Sequence, residues 1–163
     1  MTLPEDIAAL AVETIEALKA AGLTIATAES CTGGLIAGAL TSVSGSSDVV
    51  YGGYVTYANE AKIAMIGVPF GLLRQYGAVS EEVAMAMADG ALTAAGTHIA
   101  VAVTGIAGPT GGTADKPVGL VHFAVATEDG TTHFRKIFSG NRDEVRHATV
   151  VQALKLVLKA AKA

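Results

Sequence analysis

Ser30-Cys31-Thr32-Gly33-Gly34 stands where an apolar run gives way to a helical pattern. A serine at such a turn can act as a nucleophile if a neighbouring base takes its proton. Amides left unpaired at the start of a helix can hold an oxyanion or a phosphate. The glycines let a substrate approach that backbone. Glycine-rich strand-to-helix turns also serve packing alone, so both readings stay open here. Cys31 competes as nucleophile, although a lone small cysteine is commonly a core residue.

The base has few candidates. None of the four histidines (His98, His122, His133, His147) falls in a loop that follows a strand, and no Gly-x-Ser-x-Gly elbow occurs. Lys62 is the better choice. It falls in the first turn of a short helix, where the helix dipole disfavours a cation, and burial would push it further toward the neutral amine. Its alternative is an ordinary solvated lysine. Tyr57 and Asn59 precede it and could orient a substrate or the lysine.

Two further segments could grip an anion. Thr104-Gly105-Ile106-Ala107-Gly108 runs on to Gly112 without the Gly-Lys-Ser/Thr ending of a Walker loop. Its amides could form an anion nest, or the loop could simply be tight. Arg142 and Arg146 open the last helical pattern, where an arginine is suited to phosphate. A surface pairing with Asp143 and Glu144 is the competing reading, and the choice between the two arginines is open.

These residues need elements to bring them together. A first helix is expected with Thr2 as cap, Pro4 and Glu5 in its first turn, and Gly22 at its end. Leu23–Glu29 reads as a strand, followed by a helix over about 34–43. Val49–Thr56 is a second strand, with Gly52-Gly53 marking a bulge or close backbone approach. Short helices follow from Asn59 and over Pro69–Tyr76, then a longer one from Ser80 through Ala95, stopped by Gly96. Ile99–Thr104 is apolar on both faces and reads as a central strand. Val118–Thr127 and Thr131–Phe138 form a hairpin about Glu128-Asp129-Gly130, and Asn141 caps a last helix to about Ala161. The predicted fold is an α/β class three-layer α/β/α sandwich with a mixed sheet of about five strands. Its site would gather at the carboxyl ends of the strands.

Composition bounds the rest. The chain has 163 residues, enough for one domain over 1–163. Hydrophobic residues make up 51% and charged ones 16%, which excludes disorder. Mean hydropathy is +0.48, yet every long apolar stretch is interrupted before about 18 residues, so no membrane span is expected. One cysteine excludes a disulfide scaffold and a cysteine zinc site, and no metal site is expected. Net charge of −4 argues against nucleic acid as partner. The acidic start Met1–Asp6 has no signal pattern, so a cytoplasmic protein is expected. The apolar content points to a homo-oligomer.

Several strings also occur together in one order: Thr27–Gly34, Val55–Lys62, Gly77–Ser80, Thr104–Pro109, Lys116–Gly119 and Phe138–Arg142. With them the chain resembles the CinA C-terminal domain family over about Pro4 to Leu158, in its stand-alone form. Longer relatives add an N-terminal domain. The resemblance implies hydrolysis of nicotinamide mononucleotide to nicotinate mononucleotide and ammonia, without cofactor or metal. It implies Ser30 as nucleophile, Lys62 as general base and Tyr57 as their helper. The mononucleotide would be bound by the Cys31, Thr32, Gly33 and Gly34 turn, by Asn59, Thr104, Gly105 and Gly108, and by Arg142 or Arg146. Two other functions fit the same loops: a non-catalytic nucleotide-binding or competence-related regulatory module, and an amidase acting on another small amide.

Overall fold

The computed structural model describes residues 2–163. In chain order its elements are α1 (Glu5–Ala21), β1 (Ile25–Glu29), α2 (Leu35–Thr41), a 3-10 turn at Ser46–Asp48, β2 (Val50–Val55), α3 (Asn59–Ile66), α4 (Phe70–Tyr76), α5 (Glu81–Ala95), β3 (Ile99–Gly105), β4 (Leu120–Thr127), β5 (Gly130–Ile137) and α6 (Arg142–Ala161). The five strands form one sheet in the order β2-β1-β3-β4-β5. β2, β1 and β3 are parallel, whereas β4 and β5 run antiparallel as a hairpin. This is the mixed sheet expected from the sequence.

Side-chain size sorts the two faces of the sheet. Strand residues alternate in direction. In β3 and β4, Val101, Val103, Val121, Phe123 and Val125 face a core shared with α1, α2 and α6. Ala100, Ala102, Ala124 and Ala126 face the other way, with Ala28 of β1, against α5, α3 and α4. The small side chains let α5 lie close to the sheet. The same alternation sends Thr27 and Glu29 of β1 toward the α2 side, while Ala28 points to the α5 side and Ser30 follows its parity.

Capping explains most boundaries. Ser80 accepts a hydrogen bond from Val83 N–H, and Asn141 with Glu144 completes a capping box on α6. Gly22 and Gly96 end their helices in the left-handed conformation. The expected Thr2 cap is not formed. Pro4 occupies the cap position without a side-chain bond, and Asp6 satisfies Ile7 N–H instead. Proline has no N–H to satisfy and its fixed φ suits the boundary, so the helix starts there. At Gly53 the expected close approach occurs: a Cβ would lie 2.5 Å from Thr27 Oγ1. The pairing irregularity with β1 falls two residues before Gly53, at Tyr51.

A still closer approach ties two helices on the site side. A Cβ on Gly90 of α5 would lie 1.9 Å from the Ile66 carbonyl oxygen at the end of α3. Only glycine lets α3 settle at this depth.

Candidate functional site

The parallel half of the sheet aligns three loops at one edge. β1 ends in Ser30, β2 leads through Thr56 and Tyr57 into α3, and β3 ends in Gly105. Between them is a cavity of about 340 Å³. Of the candidate residues, Ser30, Cys31, Tyr57, Asn59, Lys62, Thr104, Gly105, Gly108 and Arg142 line it. Ala78, Val79, Ile106, Ala107, Thr110 and Gly111 complete the wall.

Lys62 is among the largest fully buried side chains of the described residues, 1% exposed. Its Nζ lies 3.1 Å from Ser30 Oγ and donates to the Thr56 carbonyl at 2.8 Å and the Tyr57 carbonyl at 3.3 Å. Among the described residues no carboxylate pairs with it. Burial therefore holds its pKa below the usual lysine range, against weaker opposing effects of Cys31 and Glu60. A lysine in this state can be a neutral amine that accepts a proton. The histidines do not contribute. His122 and His133 bond to each other at 2.8 Å on the hairpin, and burial pushes His122 down to about 4.

The turn after Ser30 is tightly closed. Ser30 N–H donates to Val103 O, Gly33 N–H to Ser30 O, and Leu35 N–H to Thr32 O, each at 3.1 Å. Gly33 and Gly34 have φ of 60° and 105°, a region that L side chains rarely enter. The amides of Cys31, Thr32 and Gly34 have no partner among the described residues. Of these three residues only Cys31 lines the cavity. The Cys31 side chain points into the α2 and α6 core, and burial pushes its thiol up to about 12. That corrects its standing as a rival nucleophile, since attack requires the thiolate.

Four expected binding residues lie off the cavity wall. The Thr32 hydroxyl is fully buried and donates to Glu29 at 2.6 Å. Gly33 and Gly34 shape the turn behind Ser30. Arg146 Nε donates to Cys31 O at 3.1 Å and its Nη2 to Thr32 O at 3.3 Å, so its guanidinium is engaged by the turn itself. Arg142 behaves differently. It reaches across the mouth, donating to Gly108 O at 2.9 Å and to the Tyr57 hydroxyl at 3.3 Å. Tyr57 is 61% exposed, and its ring is free to meet a ligand at the mouth.

Ala78 and Val79 were absent from the expected set. They reach the cavity on the loop between α4 and α5, which Thr104 Oγ1 fixes by donating to Ala78 O at 2.8 Å. Glu29 was missed as well, though it is fully buried beside Ser30. Among the described residues no cluster of three or more His, Cys, Asp or Glu could hold a metal ion. No helix of the described residues is long and apolar enough to cross a membrane.

A family model described as CinA C-terminal domain matches residues 7–161. A "CinA-like protein" of Geobacter sulfurreducens is 56% identical over 133 residues, 82% of this chain but only 32% of that protein. The chain thus spans about a third of such relatives. The Escherichia coli K12 protein named "Nicotinamide-nucleotide amidohydrolase PncC" is 54% identical over 141 residues, 85% of each chain. The crystal structure of competence/damage inducible protein CihA from Agrobacterium tumefaciens superposes with a TM-score of 0.95 at 51% identity, covering all of both chains.

Proposed function

The chain belongs to the CinA C-terminal domain family, and from that premise we propose that it hydrolyses nicotinamide mononucleotide to nicotinate mononucleotide and ammonia, using Ser30 and Lys62. The observation that carries the reading is the 3.1 Å approach of a buried, carboxylate-free lysine to a serine hydroxyl at a cavity wall. The similarity to proteins named nicotinamide-nucleotide amidohydrolase supports the substrate.

In the proposed reaction neutral Lys62 takes the Ser30 proton as Oγ attacks the carboxamide carbon. The N–H of Cys31, a residue of the cavity wall, donates to the developing oxyanion. Lys62 then returns the proton to the departing ammonia, leaving an ester on Ser30. Water, activated by Lys62, hydrolyses that ester. Arg142, the arginine at the mouth, takes the phosphate with the Gly105–Gly108 segment. Arg146 keeps the nucleophile turn in place. Tyr57 offers its exposed ring to the pyridine.

Self-association belongs to the same proposal. Tyr51, Val55, Ile63, Met65 and Phe70 are exposed on β2, α3 and the start of α4. Cytoplasmic location is the expected setting for a substrate of this kind.

The test is ammonia release from nicotinamide mononucleotide. Wild type should turn over, and Ser30→Ala and Lys62→Ala should each lose about a hundredfold or more. Near-wild-type turnover in either variant sinks the dyad. Binding without ammonia release would favour a regulatory module, and preference for another amide in a substrate panel would move the substrate assignment.

A further inference from the structure

Glu29 is a buried carboxylate that the proposed chemistry does not use. It is 1% exposed and is the last residue of β1. Strand alternation turns it away from the cavity while Ser30, the next residue, faces it. Glu29 Oε1 accepts from Thr32 Oγ1 at 2.6 Å and from Ile36 N–H at 2.8 Å. Its Oε2 accepts from Ala37 N–H at 3.0 Å and, at the longer distance of 3.5 Å, from Thr27 Oγ1. A buried carboxylate is costly without such donors.

These bonds replace a missing cap. The residue before α2 is Gly34, which has no side chain to offer, and its φ of 105° disfavours serine or aspartate there. Glu29 therefore caps α2 from the strand, spanning the turn and closing residues 30–34 into a ring. Its main chain works on the other half of the site. The Glu29 carbonyl accepts from Thr56 N–H at 2.8 Å, and the Thr56 carbonyl in turn accepts from Lys62 Nζ at 2.8 Å. One residue is thus bonded to the segments that carry both proposed catalytic groups.

We propose that Glu29 is the positioning residue of the Ser30–Lys62 pair, its carboxylate fixing the nucleophile turn while its carbonyl fixes the strand end that seats the lysine. This rests on the Ser/Lys reading above. The carboxylate acts through geometry, because it faces α2 and touches neither Lys62 nor the cavity.

The experiment compares wild type with Glu29→Gln and Thr32→Val. Glutamine keeps the size but turns an NH2 group toward a backbone donor. Valine removes one hydroxyl donor and leaves the carboxylate. Two readouts are taken: steady-state deamidation of nicotinamide mononucleotide, and acylation of Ser30 by p-nitrophenyl acetate, in which Oγ gains the acetyl group and p-nitrophenolate leaves. Folded fraction is measured by circular dichroism. Misplacement of the nucleophile by about 1 Å predicts roughly a hundredfold loss of kcat and of acylation rate in Glu29→Gln, with KM changed less than about twofold. Thr32→Val should show a smaller loss of the same kind, and it decides the matter if Glu29→Gln does not fold. Acylation at the wild-type rate per folded molecule in these variants overturns the proposal. If wild type itself is never acylated at Ser30, the Ser/Lys reading fails and takes this proposal with it. A wild type that is acylated beside an equally fast Glu29→Gln overturns this proposal alone.

Discussion

Replacing Lys62 by methionine separates the stability cost of the lysine from its use. Methionine keeps a long unbranched stem in a site that is fully buried, but removes the bonds to the Thr56 and Tyr57 carbonyls. Losing those bonds costs about 1 kcal/mol each, an offset that does not vary with pH. The pH-dependent part has a fixed sign. In the unfolded chain Lys62 titrates near the ordinary value of 10.5, whereas burial lowers it in the folded chain. Between those two pKa values the unfolded state binds more protons, so wild-type stability rises with pH through that window. Each pH unit of depression is worth about 1.4 kcal/mol of folding free energy. Lys62→Met lacks this slope. Its stability relative to wild type is therefore greatest below that window and declines as pH rises toward 10.5. Urea unfolding at pH 7, 8.5 and 10, followed by circular dichroism, measures the difference. Deamidation by the variant should fall by about 10²–10⁴, the usual contribution of a general base. Parallel stability curves for the two proteins would refute the reasoning, because the folded amine would then keep its ordinary proton and could not act as a base at neutral pH.

Three other outcomes follow from the geometry. Gly90→Ala normally favours a helix by about 1 kcal/mol; here its methyl meets the Ile66 carbonyl, so thermal unfolding should show a net loss of about 1–3 kcal/mol, with turnover reduced because α3 carries Lys62. A more stable, fully active variant would contradict the close approach. Arg142→Ala should raise KM for nicotinamide mononucleotide by roughly tenfold or more, as expected for a lost charged hydrogen bond, while Arg146→Ala should mainly lower kcat; the reverse pattern in steady-state kinetics would exchange their roles. The Cys31 thiol, pushed up to about 12, should resist iodoacetamide at pH 8 in the native protein and react once unfolded, which mass spectrometry reads directly.

What could be read ahead of the fold was whatever local chemistry decides. Gly22 and Gly96 mark helix ends because glycine enters the left-handed region freely, and Ser80 and Asn141 mark starts because their side chains reach an amide three residues on. Lys62 was legible from its place in the first turn of a short helix. Its partner was legible mainly through the family resemblance, since contact with Ser30 depends on β2 lying beside β1. Ala78 and Val79 fall in the Gly77–Ser80 string of the resemblance, but their chemistry gave no sign of a site, because small apolar residues in a loop resemble any other packing. Thr2 satisfied a pattern that Pro4 overrode. Glu29 was missed because a charged residue at a strand end reads as solvent-facing. The usable signal was a carboxylate just ahead of a helix that begins after two glycines. Arg142 and Arg146 are one helical turn apart, and only the fold separates the one at the mouth from the one behind the turn.

The antiparallel hairpin gives the molecule a second pole, remote from the Ser30 cavity. β4 starts beside Gly105 at the site edge and runs eight residues away from it to the Glu128-Asp129 turn. At about 3.3 Å per residue, that turn stands roughly 25 Å from the Ser30 end of the sheet. Its residues are exposed and belong to none of the segments that line the Ser30 cavity. A fluorophore, an affinity handle or a surface tether placed at Asp129 would therefore report on the protein, or hold it to a support, with the cavity mouth facing away into solution.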